Sequence, residues 1–120
     1  MKLAISSQGD NLEASVDPRF GRASNFIMFD LETQDFEVIE NKQNLNLPQG
    51  AGIQAGKTIV DNGADVLITG NCGPKAFNVL STAGVKVYTG AKGTIKETIN
   101  HFNDGKLQLA DSPNVEGHWV

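Results

Sequence analysis

Over the N-terminal third of the chain the apolar positions fall in short runs separated by polar stretches. Leu3-Ala4-Ile5 give way to Ser6-Ser7-Gln8-Gly9-Asp10, which predicts a strand over residues 2–6 feeding a loop that runs to Gly21. Phe26-Ile27-Met28-Phe29, within 25–30, and Phe36-Glu37-Val38-Ile39-Glu40 are two further β-type runs. The five residues 31–35 between them suit a hairpin, so these two strands are antiparallel. Residues 41–50, rich in Asn, Gln and Pro, show no periodicity and read as a loop.

Beyond Gly50 the period changes. Ala51, Ala55, Ile59 and Val60 recur at helical spacing up to Asn62-Gly63, a C-terminal stop. Asp65-Val66-Leu67-Ile68-Thr69 is a continuous apolar run, the pattern of a strand buried on both faces. Ala76, Phe77, Leu80 and Ala83 line a second helix ending at Gly84, and residues 85–88 form another β-branched run. Thr94-Ile95-Lys96-Glu97 has capping-box spacing, with Ile95, Ile99 and Phe102 as the buried stripe behind it. Leu107 and Leu109 alternate briefly before a polar tail.

The order β-β-β-α-β-α-β-α predicts an α/β domain over residues 1–110, with 111–120 as a C-terminal tail. A meander followed by βαβ crossovers makes a mixed five-stranded sheet with helices on its faces. If the first strand is central, the fourth lies beside it and the fifth outside that. The binding crevice then falls beyond the carboxyl ends of the parallel strands, near residues 6–21, 70–75 and 90–93.

Composition narrows the chemistry. Ten Lys and Arg against fourteen Asp and Glu give a net charge of −4, without a basic footprint for nucleic acid. Neither a membrane-length apolar run nor a signal-peptide pattern is present, so a cytoplasmic location is expected. One cysteine and two histidines exclude an internal disulfide and a self-contained four-ligand zinc site of Cys and His. A Gly-x-Ser-x-Gly nucleophile elbow and a His-x-x-x-His pair are both missing. Asp10, Asp17 and Asp65 are too scattered for a two-metal carboxylate cluster.

Four segments carry the remaining candidates. In Thr69-Gly70-Asn71-Cys72-Gly73-Pro74-Lys75-Ala76, a buried strand turns into a helix with Pro74 at its first position. Free amides and the helix dipole there suit an anion and favour the Cys72 thiolate, as ligand or nucleophile. The competing reading is a tight turn and nothing more. The Gly-Lys-Ser/Thr of a P-loop is absent. In Asp17-Pro18-Arg19-Phe20-Gly21-Arg22-Ala23 two arginine forks could hold an anion. Alternatively an Asp17–Arg pair pins the loop while Phe20 plugs the core. Gly50-Ala51-Gly52 opens a helix with small residues, for amide access or for close packing. In the tail, His118 could fold back as a ligand partner for Cys72. His101, near the last helix's C-terminus, suits a structural role.

Together these motifs, with Gly84-Val85-Lys86-Val87-Tyr88, resemble the dinitrogenase iron–molybdenum cofactor biosynthesis family over most of the chain. The resemblance implies a ribonuclease-H-like sheet. It also implies a small non-catalytic carrier or scaffold for an anionic metal–sulfur cofactor or precursor, iron-molybdenum-cofactor-like or iron–sulfur. Such a cluster would be bound weakly or transiently and passed between cluster donor and acceptor proteins by a monomer or weak homo-oligomer. Cofactor contacts then fall on Arg19, Phe20, Gly21, Arg22, Gly50, Gly52, Asn71, Cys72, Gly73 and Lys75, with Cys72 and His118 as metal ligands. Several members of the family carry a histidine where this chain has Arg19, and some carry one where it has Gln49. Without them Cys72 is the main soft ligand, and one thiolate cannot hold a four-cysteine cluster. Binding would rest on ionic and backbone contacts or be shared between subunits. Two alternatives stand beside this: a regulatory or interaction domain taking a small anion or a partner protein without metal, and a thiol enzyme using Cys72 with His118.

Overall fold

The computed structural model of the chain describes residues 1–41 and 50–114. At its centre is strand β1 (Lys2–Ser7), hydrogen-bonded on both sides. On one side it pairs antiparallel with β2 (Asn25–Asp30), which pairs antiparallel with β3 (Phe36–Glu40). On the other it runs parallel to β4 (Val66–Ile68), and β4 runs parallel to β5 (Lys86–Thr89). Register places Ile5 opposite both Ile27 and Ile68, so apolar side chains stack across the three central strands.

The strand period of two splits these residues between two layers. Ala4, Phe26, Met28, Leu67 and Val87 face α1 (Ala51–Asp61) and α2 (Pro74–Thr82), meeting Ala55, Ile59, Ala76 and Leu80. Leu3, Ile5, Ile27, Phe29, Val66 and Ile68 face the other way, onto Ile95 and Ile99 of α3 (Ile95–Asn103). The result is one open mixed sheet between two helices and one.

The meander, the three helices and the placing of β4 and β5 follow the sequence pattern. Two points correct it. The described residues form six strands, because β6 (Gln108–Leu109) adds antiparallel to the edge of β5. The five-strand ribonuclease-H-like expectation missed it because the brief Leu107–Leu109 alternation is too short to mark a strand. Ala83 is exposed rather than part of the α2 stripe, since it caps the helix where the chain turns at Gly84. Residues 42–49, expected as loop, lie outside the described residues. None of the described helices is long and apolar enough to cross a membrane.

Strand direction decides where the chemistry gathers. β1, β3, β4 and β5 all point the same way, so α1, α2 and α3, which follow β3, β4 and β5, begin at one edge of the sheet.

Candidate functional site

The loop after β1 is laid over that edge by a buried polar network. Ser6 donates from Oγ to the Asp17 carbonyl (2.7 Å) and pairs with Thr69 Oγ1 (2.8 Å), while Asp17 N–H donates to the Ser6 carbonyl. Ser6 and Thr69 are fully buried at the ends of neighbouring strands, where an unpaired hydroxyl would be costly. Asp17 then bends the chain: its Oδ1 accepts the Arg19 N–H at 3.0 Å, an Asx turn. Burial raises the Asp17 carboxyl above its ordinary range, opposed in part by that hydrogen bond and by the Arg19 charge.

Phe20 anchors the next residue. It is fully buried and packs on Phe26, ring centroids 5.3 Å apart. Its side chain is therefore a core anchor and presents no face to a ligand. Arg19, before it, is exposed, and Arg22 is partly exposed. The loop is thus held by the Asp17 carboxylate on the Arg19 backbone and by Phe20, and Arg19's guanidinium reaches the surface.

Two glycines let three segments touch. A Cβ on Gly21 would lie 2.7 Å from the Gly52 nitrogen, so the arginine loop presses backbone to backbone on the start of α1. A Cβ on Gly70 would lie 2.7 Å from Pro18 Cα, so the same loop presses on the turn before α2. A single parallel bridge joins Arg19 to Asn71, and Asn71 Nδ2 donates to the Pro18 carbonyl at 3.0 Å. The 90–93 turn closes the far side: Gly90 N–H donates to the Gly70 carbonyl and Val16 N–H to the Gly93 carbonyl.

The three helix starts at this edge differ. Thr94 and Glu97 close the α3 N-terminus with both halves of a capping box. Gly50 and Gly73 cap α1 and α2 and have no side chain to accept a first-turn amide. Lys75, in the first turn of α2, is exposed. Hence, among the described residues, no side chain caps the two helix starts that touch the arginine loop, where the dipole favours an anion.

Cys72 departs from expectation. Its side chain is fully buried within the α1–α2 layer and its Sγ lies 3.7 Å from the Gly73 carbonyl. Burial pushes the thiol up to about 12, whereas the helix dipole alone would lower it. The thiolate expected at this position is absent near neutral pH. His118 lies outside the described residues. Among the described residues no three His, Cys, Asp or Glu side chains come together to hold a metal.

Sequence reasoning overlooked two asparagines. Asn41 is fully buried and donates from Nδ2 to the Gly21 and Ala23 carbonyls, bracing the arginine loop from below. Asn114, assigned to the tail, grips the Cys72 turn through main chain and side chain. Both sit in polar stretches where any asparagine looks alike.

The arrangement has close relatives. The apo form of the orange protein from Desulfovibrio gigas superposes with a TM-score of 0.93 at 39% identity, covering 95% of this chain and 96% of that one. A NifB-like protein of Thermotoga, from the DUF35 family, matches with a TM-score of 0.84 at 38% identity over 97% and 98% of the two chains. An uncharacterized protein of Methanocaldococcus jannaschii is 32% identical over 111 residues, 90% of each chain. The family described as dinitrogenase iron-molybdenum cofactor matches residues 1–105, and the chain belongs to it.

Proposed function

We propose that this protein is a small non-catalytic carrier of an anionic metal–sulfur cofactor or precursor, iron-molybdenum-cofactor-like or iron–sulfur, passed between donor and acceptor proteins. The observation that carries the reading is the convergence of the Arg19–Arg22 loop with two helix N-termini whose caps are glycine. Guanidinium forks and backbone N–H groups hold an anionic surface by charge-assisted hydrogen bonds. An arginine cannot replace a metal-ligating imidazole, because it stays protonated and has no lone pair to offer. The cargo is therefore gripped by its sulfur periphery at Arg19, Arg22, Gly50 and Lys75, while the buried Gly52 and Gly73 let the backbone pack closely beneath it. Cys72 braces the turn from inside, and its ligation of metal would require the thiol to leave the core. The family and the two similar structures support a metal-cofactor carrier.

Tetrathiomolybdate, a compact molybdenum–sulfur dianion, is the simplest probe. Added anaerobically to the full chain, it should co-elute in gel filtration with stoichiometric molybdenum and visible absorption. Its affinity should fall as salt rises, because exposed ionic contacts are screened. Arg19→Gln with Arg22→Gln should weaken retention about tenfold or more and flatten the salt slope. A chain that retains no molybdenum overturns the reading. A second reading, an anion-binding regulatory domain without metal, is favoured by the burial of Cys72 and predicts that molybdate binds as well as its thio analogue.

A further inference from the structure

Asn114 reaches back to the candidate cradle on a short, fixed tether. Ala110 N–H donates to the Val87 carbonyl at 2.7 Å beside β6, and Asp111, Ser112 and Pro113 are the only residues between that bond and Asn114. Asn114 Oδ1 accepts the Cys72 N–H at 2.8 Å, and Asn114 N–H donates to the Cys72 carbonyl at 3.2 Å. Its Nδ2 donates to Asn71 Oδ1 at 3.2 Å and, near the limit of such a bond, to the Gly70 carbonyl at 3.4 Å. Asn71 passes the contact on, since its Nδ2 donates to the Pro18 carbonyl at 3.0 Å, next to the Arg19–Asn71 bridge.

A carboxamide accepts at one end and donates at the other. A donor seated on Asn71 Oδ1 therefore decides which way the Asn71 donor end points. We propose that Asn114 is a positioning residue of the cradle: it orients Asn71, and through Asn71 it holds the Arg19 loop against the start of α2. The functional consequence rests on the carrier reading above, whereas the orientation belongs to the free chain and can be read there.

Three full-length variants test this: Asn114→Asp, Asn71→Ala and the two combined. Aspartate keeps an oxygen for the Cys72 N–H but sets its other oxygen against Asn71 Oδ1 and the Gly70 carbonyl. In 15N-labelled protein, Asn114→Asp should shift the Asn71 side-chain amide and the Arg19 backbone amide, while the Cys72 amide stays protected from exchange. Asn114→Ala, the second probe should the aspartate variant fold poorly, should shift the same resonances and release the Cys72 amide as well. The Kd for tetrathiomolybdate should rise about fivefold in each single variant, the weight of one hydrogen bond. The combined variant should be no weaker than Asn71→Ala alone, because residues acting in series are not additive. Unmoved Arg19 and Asn71 resonances, or additive losses, overturn the proposal. If the parent retains tetrathiomolybdate and the variants bind it as tightly, the positioning role fails and the carrier reading stands. If the parent retains none, the carrier reading fails, and the Arg19 and Asn71 resonances alone decide the role of Asn114.

Discussion

At Cys72 two fields oppose each other. The α2 dipole favours a thiolate, while the apolar layer formed with Phe20, Ala76 and Leu80 penalises one. Desolvation wins, and the thiol is pushed up to about 12 from an ordinary 9.0. Two outcomes follow. Alkylation by iodoacetamide near neutral pH should be about 10³-fold slower in the folded chain than in a peptide of the same sequence, and urea should abolish the difference. A folded rate equal to the peptide's would show that the thiol is open to solvent. The stability effect has a defined sign, since the unfolded thiol ionises at a lower pH than the folded one. Its contribution is intact below pH 9.0 and is lost progressively as pH rises toward 12. Urea titrations above pH 9.0 should show this loss, and Cys72→Ser should remove it.

At the scale of elements, α3 is the helix that closes its own start. The Glu97 carboxyl is held below its ordinary 4.5 chiefly by accepting the Thr94 N–H, with a further contribution from the Thr94 side chain. A depressed carboxyl stabilises the fold above its unfolded value and loses that contribution as pH falls through its folded one. Thr94→Ala should cost about 1 kcal/mol at pH 7 in urea unfolding. Glu97→Gln should flatten part of the parent's loss of stability below pH 4.5. An unchanged acid limb in Glu97→Gln would remove the capping box from the account. No such cost is expected at the glycine-capped starts of α1 and α2, which have no side chain to lose.

For the whole molecule, the site exists only because three segments distant in sequence approach without side chains between them. Gly21→Ala sets a methyl 2.7 Å from the Gly52 nitrogen, and backbone cannot yield as a flexible side chain does. Overpacking of this kind costs about 1–3 kcal/mol. Gly21→Ala should lower stability by that amount in urea unfolding and should also weaken tetrathiomolybdate retention, because the arginine loop must lift away from α1. Full stability in this variant would show that the loop is not packed as described.

Much of this was legible in the residues themselves. The short apolar runs in 25–30 and 36–40, the helical stripes closed by Gly63 and Gly84, the all-apolar run at β4 and the Thr94–Glu97 box are local signals, set by residue pattern and by φ requirements. They determine the elements and, through parallel pairing, the edge where the motifs gather. Tertiary structure decided the rest. Whether Cys72 faces solvent or core depends on how the turn seats against Phe20 and α1, and burial outweighs the dipole that local reasoning invoked. Phe20 is similar: its neighbours mark it as site, and packing on Phe26 makes it an anchor. Asn41 and Asn114 act through carbonyls of residues remote in the chain, and hydrogen bonds of that range leave no period or spacing in a sequence.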